Sequence, residues 1–261
     1  MISKTKRQQF QQGLKHDSFG AAVFAGCADG VRGNVKFGAT SSPTTAAADV
    51  WPLATEYEFP ADAGEPIGVY SSDAADAGVV VGLRVIDAAD GLEKSVDVTL
   101  TAGVPVVIDM DICAINRMSV DGAKACVGTI YARGDNGTGT AFALIEPAHQ
   151  QTQQCPYMVP ADCWATTRRA LVTINRAGNR DAAVGFSYLV REPGGVFRTL
   201  AQWGLQKEGS SVVDIDLSEG SPMIPPGSQI RFVFDPIDYE ATASARYALW
   251  LYDKDYICPP Q

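Results

Sequence analysis

The chain has 261 residues, a net charge of −9 at neutral pH, and 46% hydrophobic against 20% charged residues. That apolar content suffices for a packed core and excludes the disordered class, whose low hydrophobicity leaves the entropy of ordering uncompensated. No apolar run approaches the ~20 residues of a membrane-spanning helix. Lys4, Lys6 and Arg7 are followed by glutamines in place of an apolar signal core, so neither a transmembrane segment nor a secretory leader is expected.

The charge is unevenly divided. Residues 1–49 carry six Lys or Arg and three Asp or Glu, which leaves 15 basic and 27 acidic residues for the remainder. A basic arm on an acidic body argues against a nucleic-acid face on the body, because phosphate binding needs clustered cations. Within the arm, residues 3–15 are expected to be helical: Ser3 or Thr5 can cap, Gln and Lys are good formers, and Phe10 and Leu14 stand at i and i+4. Residues 17–49 are rich in Gly, Ala, Ser and Thr and end in a Ser-Thr-Ala-Pro hinge. Such a segment is too poor in large apolar residues to bury a core of its own. It is expected to be a linker, or an arm that orders on a partner through Phe10, Leu14, Phe24 and Phe37.

From residue 50 the pattern turns strongly β. Runs at 56–59, 67–70, 79–86 and 95–100 are rich in Val, Ile, Tyr and Thr and bounded by Gly, Pro, Asp or Ser, as consecutive antiparallel strands are. Val96, Val98 and Leu100 alternate with Ser95, Asp97 and Thr99, giving one buried and one wet face. Asp90-Gly91 marks a hairpin, since glycine tolerates the positive φ that tight turns require. Further strands are predicted at 104–110, 112–120, 125–132 and 140–144. The aperiodic polar stretch 146–154 then marks a boundary. A second set follows at 164–174, 182–190, 196–203, 211–217, 229–234 and 246–252, with Pro193-Gly194-Gly195 as a hairpin. Turn signals about every 8 to 12 residues indicate sandwiches or barrels. The expected fold is all-β: an extended arm with a short helix (1–49), then two β-sandwich, jelly-roll-like domains (50–147 and 148–261).

Little in the sequence points to catalysis, a metal or a cofactor, and none is expected. The six cysteines form no Cys-x2-Cys pair, and His16 and His149 lack zinc-site spacing. Cys113 and Cys126 stand in apolar strand runs, as buried free thiols do. The stretch Val213-Asp214-Ile215-Asp216-Leu217-Ser218-Glu219-Gly220 places its glycine one position late for a calcium loop, and its alternation suits a strand with the aspartates outward. Glu56 and Glu58 show no geometry for glycoside hydrolysis, and no Ser-His-Asp order has local motif support. Arg168-Arg169 is the basic cluster of the acidic body and a candidate docking site for an acidic neighbour. By strand alternation these two side chains are expected on opposite faces. Trp51, just beyond the hinge, joins Phe10, Leu14, Phe24, Phe37, Arg168 and Arg169 as a docking candidate.

Lys36-Phe37-Gly38, Val50-Trp51, Phe59-Pro60 and Val69-Tyr70-Ser71-Ser72-Asp73-Ala74-Ala75-Asp76 occur in that order. Gly82 to Ile86, the turn Asp87 to Gly91, Val98 to Leu100, and Ile115-Asn116-Arg117-Met118 follow. This succession resembles a family of tailed-bacteriophage virion proteins. The resemblance implies a non-enzymatic particle component, assembled in the bacterial cytoplasm, where thiols stay reduced. It would oligomerise and dock through its arm onto other virion proteins (capsid, portal or tail) on the head exterior or at the head-tail junction. The alternative is a carbohydrate-binding tail or fibre adhesin using Tyr239, Tyr247 and Tyr252.

Overall fold

The computed structural model describes residues 23, 25–26, 28–40, 46–121, 126–176, 181–208, 211–217, 222–235 and 241–256. Fifteen strands are named among them: β1 (Val31–Ala39), β2 (Ala48–Asp49), β3 (Glu65–Ser71), β4 (Val80–Asp87), β5 (Glu93–Thr99), β6 (Val106–Asp121), β7 (Ile130–Arg133), β8 (Ala141–Ile145), β9 (Tyr157–Met158), β10 (Cys163–Arg176), β11 (Asp181–Arg191), β12 (Arg198–Glu208), β13 (Ser211–Asp216), β14 (Gln229–Phe234) and β15 (Ala241–Asp253). All their pairings are antiparallel. The fold is all-β, as the alternating runs require.

The first six strands after the arm form one sheet in the order β5-β4-β6-β3-β7-β8, curled into a half-barrel. Every strand contributes to a single core that includes Val69, Leu83, Val98, Ile115, Ile130 and Phe142. The expected hairpin at Asp90-Gly91 joins β4 and β5, with Gly91 at φ +69°. Lys94 reaches back to Asp87 and Asp90, which ties the turn shut. The runs 104–110 and 112–120 are one strand, β6, whose pairing shifts register at irregularities instead of breaking at a turn. Residues 56–59 form no strand; Tyr57 is buried there, and its N–H donates to Asp49 Oδ2 at 2.7 Å.

The second unit is a sandwich of a four-stranded sheet, β1-β15-β10-β13, and a five-stranded sheet, β12-β11-β14-β2 with β9 attached to β14. Between them Val172, Phe186, Tyr188, Phe232, Ala245, Tyr247 and Leu249 form the core. The rings of Phe232 and Tyr247 stack 4.6 Å apart between centroids. Alternation drives this layering, because Ala243, Ala245, Tyr247, Leu249 and Leu251 all lie on the inner side of β15.

Residues expected in a loose arm are structural members of this sandwich. β1 pairs with β15 along nine residues, from Val31↔Tyr252 to Ala39↔Ser244, and β2 pairs with β14. Glycine and alanine, which read as linker composition, serve close packing here. A Cβ at Gly38 would lie 2.5 Å from Val50 O and 2.7 Å from Cys155 N. The expected helix at 3–15 lies outside the described residues.

Asp49 anchors this arrangement. Its fully buried carboxylate accepts Arg231 Nε at 2.9 Å and Arg231 Nη2 at 2.5 Å. Arg231 also reaches Glu56 at 3.1 Å. Burial pushes the Asp49 carboxyl above its ordinary value, against the lowering pull of Arg231 and the Tyr57 N–H. Replacing Asp49 by Ala strands the guanidinium, so the variant is expected to lose about 3–5 kcal/mol in urea unfolding. The double variant Asp49→Leu/Arg231→Met should recover most of that loss, and a loss confined to less than about 1 kcal/mol would show the pair to be no more than a surface ion pair.

Candidate partner-docking face

The four-stranded sheet has an inner face in the sandwich core and an outer face turned away from it. On β1, Arg32, Asn34, Lys36 and Gly38 share one side, while Val31, Gly33, Val35 and Phe37 share the other. Register carries the outer set across the sheet: Phe37 lies beside Arg246, Arg246 beside Leu171, and Leu171 beside Asp214. Val35, Arg169, Leu171, Arg246, Tyr247 and Ala248 line a groove of 570 Å³. Phe37 is 40% exposed at its margin. At the other end of the face Val23 and Ala28 cover Trp250, with Val31 and Tyr252 packed against them. The segment leading into β1 therefore runs over this same outer surface.

Arg168 and Arg169 emerge here together, against the expectation from strand alternation. Thr167 pairs with Leu249 but Arg169 pairs with Ala248, so Arg168 is the extra residue of a β-bulge. A bulge inserts one residue and turns two successive side chains toward the same side. Arg168 stacks its guanidinium 4.3 Å from the Trp250 ring centroid. Arg169 Nε donates to Asp214 Oδ1 at 2.7 Å across the β10/β13 pair. That ion pair is exposed, and the like of it stabilises by ~1 kcal/mol at most. Asp214 and Asp216 alternate outward along β13, as a strand reading of this stretch requires.

The other candidates fall elsewhere. Trp51 is 3% exposed; it packs edge-on to Tyr57 at 5.0 Å and donates its indole N–H to Thr55 O at 3.0 Å. Its surface is spent inside the molecule, which corrects the reading of Trp51 as a docking side chain. Phe10, Leu14 and Phe24 lie outside the described residues. Of the aromatics considered for glycan binding, Tyr247 is buried and donates its hydroxyl to Cys155 O at 2.5 Å. Tyr252 is half-buried under the segment before β1, and Tyr239 lies outside the described residues.

Beside the groove, where β1 meets β6 of the half-barrel, lie cations that sequence reasoning passed over. Lys36, 3% exposed, donates its ammonium to Asn116 O. The Asn116 side chain in turn bridges Glu93 Oε1 at 2.9 Å and the Met158 carbonyl at 3.0 Å. The Lys36 amine is pushed down to about 7, chiefly by burial and also by Arg117, against raising contributions from Cys155 and Glu93. Arg117 donates to Val35 O at 2.9 Å. In sequence these appear as isolated charges inside strand words, and only the pairing of β1 with β15 and β4 with β6 assembles them.

Cys113, Cys126, Cys155 and Cys163 are buried free thiols. Burial pushes the Cys113 thiol up to about 11 and Cys163 up to about 12. Among the described residues no three His, Cys, Asp or Glu side chains are grouped to hold a metal, and no helix is long and apolar enough to cross a membrane.

No family model matches the chain, and no curated protein matches it either. Among solved structures it is similar to infectious bursal disease virus, Gt strain, at 12% identity over 87% of this chain and 73% of that one, with a TM-score of 0.25. The VP2 subviral particle of the same virus gives 10% identity over 87% and 72%, also with a TM-score of 0.25. Its T=1 particles give 11% over 86% and 73%, with a TM-score of 0.22. At those TM-scores the likenesses carry no inference about architecture or role.

Proposed function

We propose that this chain is a non-enzymatic structural component of a tailed-phage virion, assembled in the bacterial host cytoplasm. It oligomerises and docks onto other particle proteins, capsid, portal or tail, on the head exterior or at the head-tail junction. The observation that carries this reading is the outer face of the β1-β15-β10-β13 sheet. Phe37, Arg168 and Arg169 converge there around an open groove lined by Val35, Leu171 and Ala248. An apolar groove with an exposed aromatic and arginines at its rim has the composition of a partner surface.

Val23 and Ala28 pack at this face, and in this proposal the basic arm of residues 1–49 belongs to the same docking region. The order of the Lys36-Phe37-Gly38, Val50-Trp51 and Val69-to-Asp76 words supports a particle protein in particular. The division into units 50–147 and 148–261 is part of the same reading, the second unit incorporating β1 and β2.

Incorporation into particles provides the test. Phe37→Asp/Leu171→Lys should keep the far-UV signature and cooperative unfolding, because both side chains are outside the sandwich core. It should fall at least about tenfold in particle occupancy, the loss expected for removing a buried anchor worth ~1.4 kcal/mol. Mass spectrometry of gradient-purified virions reads both outcomes. Absence of the wild-type chain from virions would sink the structural role, while normal occupancy of the variant would move the docking surface elsewhere.

A further inference from the structure

We propose that the junction between β1 and the half-barrel is a binding site for a multivalent oxyanion, carboxylate or phosphate, held by Arg117 between Arg246 on one side and Arg84 and Arg32 on the other. Two adjoining clefts form it. The first, of 290 Å³, is lined by Val35, Lys36, Phe37, Arg117, Gln151, Thr152 and Arg246, two arginines and a buried amine with no carboxylate. The second, of 350 Å³, contains Arg32, Arg84, Arg117 and Asn116, with Glu93 as its one carboxylate. Arg117 lines both, so the two clefts adjoin at its side chain. The inference does not depend on the chain being a particle protein.

The arrangement is unfavourable as it stands. Arg84 and Arg117 are directly paired across β4 and β6, and both are exposed. Like charges at opposed positions, about 5 Å apart at Cβ, destabilise a sheet. Among the described residues neither Arg84, Arg117 nor Arg246 has an ion-pair partner, and Lys36 is buried with a backbone carbonyl as its acceptor. A bound oxyanion would neutralise the opposed arginines, accept charge-assisted hydrogen bonds from their forks and take further donors from Gln151 and Thr152. The class is a compact anion and not an extended nucleic acid, because a chain of net charge −9 repels a long phosphodiester away from this one spot.

Thermal unfolding of the full chain distinguishes the possibilities, with citrate, inorganic phosphate and a single-stranded oligonucleotide compared against sodium chloride at matched ionic strength. Citrate or phosphate should raise Tm saturably beyond chloride. Arg117→Gln and, separately, Arg246→Gln should weaken that response at least about tenfold, equivalent to one lost contact of ~1.4 kcal/mol. Arg246 is exposed, so its replacement leaves the fold intact even if removing the Arg117 bond to Val35 does not. In the absence of added anion at low salt, Arg84→Gln should raise Tm, since it removes the opposed charge. No rise beyond chloride, an undiminished response in both variants, or an oligonucleotide bound more tightly than either small anion would each overturn the proposal.

Discussion

A chain beginning at residue 50 fails to reach the native sandwich, although composition alone makes residues 1–49 look dispensable. Such a truncation removes β1 from the edge of the four-stranded sheet and β2 from β14. The nine-residue β1/β15 ladder is lost, at about 0.5–1.5 kcal/mol for each hydrogen bond removed. The Asp49 partner of buried Arg231 goes with it. Edge removal also uncovers the flank of Tyr247, Leu249 and Leu251, which pair with Lys36, Asn34 and Arg32. Together these losses reach the 5–15 kcal/mol that holds a typical domain. Near-UV circular dichroism and urea titration of the truncated chain should show lost tertiary signal and no cooperative transition. A chain beginning at residue 23 keeps both strands and the Val23 contact and should unfold cooperatively. A residue-50 chain with a cooperative midpoint close to that of the full chain would refute the structural role of β1.

Lys36→Met should stabilise the protein below pH 7 and lose that advantage as the pH rises. The buried amine has its value pushed down to about 7 from an ordinary 10.5, burial being the largest cause. Between those values the unfolded chain holds a proton that the folded chain has released, so wild-type stability rises with pH across the window. Below pH 7 the buried charge costs its full amount, on the order of 5 kcal/mol for a value displaced from 10.5 to about 7. Methionine fills a similar volume without the charge, but it leaves Asn116 O without its donor, at a cost of about 1 kcal/mol. The net gain is therefore expected to be about 4 kcal/mol at pH 6 and to vanish or reverse by pH 10.5. Urea unfolding of both proteins at several pH values measures it. A wild-type stability that is flat or falling from pH 7 to 10.5 would contradict the neutral, buried state of this amine.

Most strands were legible because their signals are local. Alternation in 95–100, the Asp90-Gly91 turn and the Pro193-Gly194-Gly195 turn each depend on a few adjacent residues, and β5 and the β4/β5 and β11/β12 hairpins appear where those residues predict them. The run 56–59 looked like a strand because Tyr57 and Phe59 alternate with Glu56 and Glu58. In the fold Tyr57 is held by a side-chain carboxylate and by its own hydroxyl on Phe142 O at 2.7 Å, with no ladder. β1 went unread for the opposite reason. Its glycines and short apolar islands lower local β propensity, and its partner strand lies over two hundred residues away in sequence.

The docking face divides in the same way. Phe37 is recognisable in the sequence as an apolar anchor and Arg168-Arg169 as a basic cluster. Their placement on one surface depends on β1 joining β15, and that of Arg168 on a bulge that alternation does not foresee. An acidic all-β chain, most of its strands and hairpins, and the buried character of Cys113 and Cys126 follow from local residue pattern, because hydrophobic period and turn chemistry act over a few neighbouring residues. That 31–39 is a strand, that Trp51 is internal, and that Lys36, Arg84, Arg117 and Arg246 share one junction emerges on folding. Those outcomes come from pairing between distant segments, whose register is set by the packing of the whole core.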